Sequence, residues 1–151
     1  MKKILTLLII QKEDKILLGL KKHGFGMGKW NGFGGKVNKG ETIEDAAQRE
    51  LLEESGLVVQ SMEKIGVLNF VWQGNPEIWE VNIFKAHEFI GQPQETEEMR
   101  PRWFLLKDIP FEAMWPDDKH WLPLFLENKK FKGIFLFNQS NVIESYNLYE
   151  S

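Results

Sequence analysis

A chain of 151 residues with net charge −3, 42% hydrophobic and 27% charged residues and no cysteine has the composition of a globular domain long enough to bury a core unaided. The absence of cysteine excludes disulfides, thiolate zinc sites and cysteine nucleophiles, and the lack of a basic block argues against a sequence-independent grip on nucleic acid. His23, His87 and His120 lie too far apart for a zinc motif. One domain spanning 1–151 is the expectation.

The opening "MKKILTLLII" begins as a secretory leader does. No small-residue cleavage site follows, though, and charged "QKEDK" comes at once. Rich in Leu and Ile at strand length, the run reads as a first strand over 3–10, and the chain is expected to be a cytoplasmic monomer with no membrane attachment. A second strand follows over 15–20 across the polar turn "KED". Next comes "GFGMGKWNGFGG", with six glycines between residues 24 and 35, where backbone can approach a ligand closely. Plain hairpin turns are the alternative, supported by the Asn31-Gly32 pair. A helix then begins at an N-cap Thr42, with Asp45 completing a capping box and Gly56 as the C-terminal stop. Strands are expected over 64–72 and 78–86 around "QGNP", and a short one over 101–106. A second helix falls within 117–128, limited or kinked by Pro123. The chain ends in a hairpin pairing "FKGIFLF" with "VIESYNLY" across "NQSN". The pattern is α/β or α+β, with a mixed sheet and few helices.

On the first helix, Glu53 and Glu54 lie about 60° and about 40° to either side of Glu50. The three carboxylates share a face beside the apolar stripe Ile43, Ala46, Ala47, Leu51. Arg49, placed i to i+4 from Glu53, offsets part of their repulsion. A solvated acidic face is one reading of this cluster. A set of hard oxygen ligands for Mg²⁺ accounts better for its convergence. Near the second helix, "MWPDDKHW" sets Asp117 and Asp118 among Met114, Trp115 and Trp121, an apolar setting for two acids.

Loop and helix together spell a longer pattern. From Gly35 the chain runs five residues to Glu41, seven more to Arg49, and then "RELLEESGL" through Leu57. This resembles the Nudix box, G-x5-E-x7-R-E-U-x-E-E-x-G-U with U aliphatic, at every fixed position. The flanking "KKHGFGMGKWNGFGGKV", "EEMRPRWF" and "FEAMWPDD" are similar to the animal-type MutT homologues, pyrophosphohydrolases of oxidised purine nucleoside triphosphates. The resemblance covers nearly the whole chain. It implies an α/β/α sandwich around a mixed sheet, with the Nudix helix on one face and a base pocket near the other.

It also implies roles. Glu50, Glu53 and Glu54 become ligands of Mg²⁺, with Mn²⁺ as a substitute, assisted by the Gly35 carbonyl and by Glu98 in "TEEMRP". Glu54 would also orient or deprotonate water. Arg49 would hold the carboxylates, and Glu41 would brace the loop–helix junction. Lys21 would meet phosphate, with an ordinary surface lysine as the alternative. A triphosphate beside three carboxylates is repelled unless cations intervene, so metal dependence is a requirement of this reading.

In the resembled enzymes Asn31 and the aromatic–Asp–Asp stretch contact the purine. Trp115 would stack on it, unless it is a plain core tryptophan. Thr6, Phe70, Trp72 and Trp79 map to pocket walls, although strand residues facing a core would alternate in the same way. Trp72 and Trp79 stand where those enzymes carry Phe and Met, which bears on base preference. Two adjacent acids in a dry pocket resist ionising together, so one keeps a proton, and the pair can accept at one position and donate at the other. Moving that proton would suit guanine-type and adenine-type edges in turn. Helix capping by "PDD" is the competing role. Two other functions stay open: a Nudix enzyme acting on diphosphoinositides, dinucleoside polyphosphates or capped RNA, and a nucleotide-binding module without catalysis. The pocket residues disfavour the first and the intact acidic set the second.

Overall fold

The computed structural model describes residues 1–151. Its strands are β1 (Lys2–Lys12), β2 (Lys15–Lys21), β3 (Trp30–Asn31), β4 (Glu63–Trp72), β5 (Ile78–Ala86), β6 (Met99–Leu105), β7 (Phe131–Phe137) and β8 (Ile143–Glu150). The helices are α1 (Ile43–Ser55) and α2 (Asp118–Leu126). The sheet runs β3-β2-β1-β5-β4-β7-β8, with β6 paired to the outside of β2. The pairs β1–β5 and β4–β7 are parallel and the remaining neighbours antiparallel. This is the mixed sheet expected. No helix is long and apolar enough to cross a membrane.

Alternation along the strands divides the apolar residues between two cores. Leu8, Ile10, Leu17, Phe84 and Ala86 face α1, where Ala47 and Leu51 meet them. Ile9, Ile16, Leu18, Leu68 and Ile83 face α2, packing on Trp121, Leu122 and Phe125. One helix therefore covers each face, completing the sandwich. β6 begins two residues earlier than expected and passes through Pro101, which an edge strand tolerates. α2 runs past Pro123 to Leu126. Its last turn is held by the buried Lys85, whose Nζ donates to the Phe125 carbonyl and to Asn128 Oδ1.

Only the far end of β1 pairs with β2, through Ile10, Gln11 and Lys12. Over its first half the two strands diverge, and residues 33–37 take the edge of β1 instead. Leu8 N–H donates to the Phe33 carbonyl, Thr6 N–H to that of Gly35, and Val37 N–H to that of Ile4. Gly34 is required there, since a Cβ would lie 1.8 Å from the Thr6 carbonyl oxygen. The glycine-rich loop turns at residues 24–28, where Gly24, Gly26 and Gly28 have positive φ. Asn31 and Gly32 do not form that turn: Asn31 lies in β3, paired with Gly19.

Candidate active site

The diverging strands open a cavity of about 360 Å³. Thr6, Lys21, Asn31, Gly35, Glu54, Phe70, Trp72, Trp79, Trp115, Asp117 and Asp118 all line it. Glu50, Glu53, Glu98 and Arg49 stand beyond this lining, Glu98 reaching Lys21 through an ion pair at 3.3 Å.

One end of the cavity is acidic, built by α1 and residues 34–35. Thr42 caps α1 by accepting from Asp45 N–H, and Gly56 ends it with φ 77°. Asp45 makes no reciprocal side-chain bond, so the capping box is only half formed. Glu54 is buried and accepts from Gly34 N–H at 2.9 Å. Burial first, and then the charge of Glu50, pushes its carboxyl up to about 8. Burial also raises Glu50, against the pull of Arg49. Arg49 does not rest chiefly on Glu53. Its guanidinium grips Glu41 by two bonds of 2.7 and 3.0 Å, reaches Glu50 at 2.9 Å and the Lys36 carbonyl at 3.0 Å, and approaches Glu53 only at 3.4 Å. The Glu41 carboxyl is held below the usual carboxylate range by this pair and by Asn38 N–H.

Divalent cations favour hard oxygen donors, and the carboxylates of Glu50 and Glu54 and the backbone of residues 34–35 supply them here. Glu50 and Glu54 are neighbouring acids, and burial, together with the charge each has beside it, raises both carboxyls. Gly35 backs directly onto the Glu50 carboxylate, where a Cβ would come within 2.6 to 2.9 Å. The residues fit a divalent cation by donor type and charge. As the side chains stand, no three His, Cys, Asp or Glu converge on one point: one Glu50 oxygen is taken by Arg49 and Glu53 is exposed. The Gly35 carbonyl already accepts from Thr6 N–H, leaving one lone pair.

The other end is aromatic, with two acids at its floor. Asp117 and Asp118 are 4% and 3% exposed. Neither caps α2: Asp117 has helical φ and ψ and makes no side-chain cap bond. Its Oδ2 instead accepts from Trp121 Nε1 at 2.8 Å, while Asp118 Oδ2 is buried with no protein partner. Burial raises both carboxyls, Asp118 well above the usual range because the Asp117 charge adds to the effect. The pair therefore keeps a proton, with Asp118 the more strongly raised of the two. Asn31 Oδ1 accepts from Gly32 N–H, which leaves its amide NH₂ free to donate.

Trp115 is not enclosed in the core. It lines the cavity with Lys29 Nζ 5.4 Å from its ring centroid. Sequence reasoning missed Phe25, Lys29, Trp121 and Phe137 as wall residues. Phe25 lies 4.9 Å from Trp115, 5.4 Å from Trp79 and 6.1 Å from Trp72 between ring centroids. An aromatic residue between two glycines, in "GFG", was the available signal.

The NUDIX domain family model matches residues 2–125, and the chain belongs to that family. It is 53% identical over 148 residues to the oxidized purine nucleoside triphosphate hydrolases of Mus musculus and Danio rerio, covering 98% of this chain and 95% of each relative. Among solved structures, the mutator MutT protein from Bacillus halodurans superposes with a TM-score of 0.86 at 29% identity over 97% of both chains.

Proposed function

We propose that this Nudix hydrolase cleaves oxidised purine nucleoside triphosphates, 8-oxo-dGTP and 2-hydroxy-dATP among them, to the monophosphate and pyrophosphate, and so clears damaged purines from the nucleotide pool. The observation that carries the reading is the buried Asp117–Asp118 pair at the floor of an aromatic cavity whose other end is acidic. Identity of 53% to the oxidized purine nucleoside triphosphate hydrolases supports it.

The protonated member of the Asp117–Asp118 pair donates to an acceptor on the base, and the ionised member accepts from a ring N–H or amino group. The Asn31 amide donates to the base edge, and Trp115 stacks on its face, a contact worth roughly 1–3 kcal/mol in comparable base–aromatic cases. Thr6, Phe70, Trp72 and Trp79 exclude water around it. Lys21 pairs with phosphate oxygens.

Glu50, Glu53, Glu54 and Glu98, with the Gly35 carbonyl, would hold Mg²⁺, for which Mn²⁺ can substitute. That ion supplies charge neutralisation and polarisation of a phosphoryl oxygen. Arg49 keeps Glu50 oriented and ties the helix to the loop through Glu41. Glu54, one oxygen fixed by Gly34 N–H, presents the other to the attacking water and accepts its proton.

The test is a product assay with and without Mg²⁺ across 8-oxo-dGTP, 2-hydroxy-dATP, dGTP, a dinucleoside polyphosphate and capped RNA. The expected result is monophosphate plus pyrophosphate from the oxidised purines, only with divalent cation. Diphosphate plus orthophosphate, or a preference for the larger substrates, would overturn it.

A further inference from the structure

Trp72 forms a wall of the cavity, and its ring is placed by a residue that the cavity does not contain. Its indole packs on Phe137, with centroids 5.3 Å apart and planes 23° apart, and meets Trp79 edge-on at 4.9 Å. Such packing confines the plane of the ring, but the torsion between Cβ and the ring is roughly two-fold, which leaves open which edge of the indole faces the turn. One polar contact breaks the tie: Trp72 Nε1 donates to Asn141 Oδ1 at 2.7 Å. Asn141 sits in the β7–β8 turn with φ 63°, a left-handed conformation that Asn accepts more readily than most residues.

The turn does not depend on the Asn141 side chain. Asn138 closes it, its N–H donating to the Val142 carbonyl and its Oδ1 accepting from Ser140 and Val142 N–H. The Asn141 amide is therefore left to serve the indole. Resting on the function proposed above, we infer that Asn141 is a positioning residue for base recognition. By fixing which way the Trp72 indole lies, it sets the outline of the purine pocket without touching substrate.

Three variants separate this role from a structural one. Asn141→Gly removes the acceptor while keeping the left-handed backbone at ease. Asn141→Asp restores an acceptor, and Trp72→Phe removes the donor while keeping an aromatic wall. KM and kcat for 8-oxo-dGTP and 2-hydroxy-dATP are measured in each, and the Trp72 indole N–H, assigned by its loss in Trp72→Phe, is followed by NMR hydrogen exchange. Asn141→Gly should raise KM by about two- to tenfold, the range of one net hydrogen bond, with kcat within about twofold. The rise should differ between the two bases, and indole exchange should quicken. Asn141→Asp should restore both readouts, and Asn141→Gly should add nothing in a Trp72→Phe background. If the wild type turns over oxidised purines but Asn141→Gly leaves KM and indole exchange unchanged, or lowers kcat alone, the inference is wrong. If the wild type turns over none of them, the functional reading itself fails and takes this inference with it.

Discussion

Burial decides the protonation of the two acids that open α2, and stability should report it. Asp118 has a folded pKa well above its unfolded value near pH 4. Its contribution is fully present below about pH 4 and is lost as pH rises towards the folded pKa, because only the unfolded chain releases the proton in that window. The slope is about 1.4 kcal/mol per pH unit while the folded carboxyl stays neutral. Asp118→Asn removes the titration, so its Tm relative to wild type should climb from pH 4.5 to pH 7 in thermal melts. A constant offset across that range would show that Asp118 is ionised in the fold. Glu54 gives a second test at this scale. Glutamine there can accept the same Gly34 N–H and has no charge to desolvate, so Glu54→Gln should melt at or above the wild-type temperature. Its kcat/KM should fall by about a hundredfold or more, since an anionic oxygen at the metal and water is lost. Wild-type turnover would remove Glu54 from the chemistry.

At the scale of elements, α1 and the glycine-rich loop act as one piece because Arg49 joins them. Arg49→Lys keeps the charge but cannot hold Glu41 by two bonds while also reaching Glu50 and the Lys36 carbonyl. The expected outcome is a lower midpoint of urea unfolding together with a severalfold higher Mg²⁺ concentration for half-maximal rate. If neither moves, the network is not what orients Glu50. The helix itself was legible in the sequence, since the Thr42 cap, the stripe of Ala46, Ala47 and Leu51 and the Gly56 stop are all local signals. The main partner of Arg49 was not. Spacing along a helix pointed to Glu53 four residues on, and that pair forms at 3.4 Å, but the shorter bond reaches back eight residues to Glu41, in the loop. The Asn31-Gly32 pair misled for a related reason: its turn propensity yields to pairing with β2. Phe25, Trp121 and Phe137 escaped notice as wall residues because a cavity wall is assembled across elements distant in sequence. Phe137, for example, reaches it through the parallel pairing of β4 with β7, which no local pattern encodes.

For the whole molecule, the decisive feature is a sheet that does not close. β1 leaves β2 after three pairs, residues 33–37 fill its edge, and the resulting opening lets one cavity join Glu54 on α1 to Asp117 and Asp118 on α2. In the proposed function a nucleotide would span such a cavity with its phosphates at the acidic end and its base at the aromatic end, so variants at the two ends should separate catalysis from base choice. The central claim is that the buried acid pair reads the oxidised base, and it is tested by kcat/KM for 8-oxo-dGTP, 2-hydroxy-dATP and dGTP in wild type, Asp117→Asn and Asp118→Asn. Loss of one charged hydrogen bond costs about 1.5–3 kcal/mol, or roughly ten- to a hundredfold in kcat/KM. The account predicts losses of that size which differ between the guanine-type and adenine-type substrates, with the Mg²⁺ requirement unchanged. One common factor for all three substrates, or no loss at either position, would contradict it.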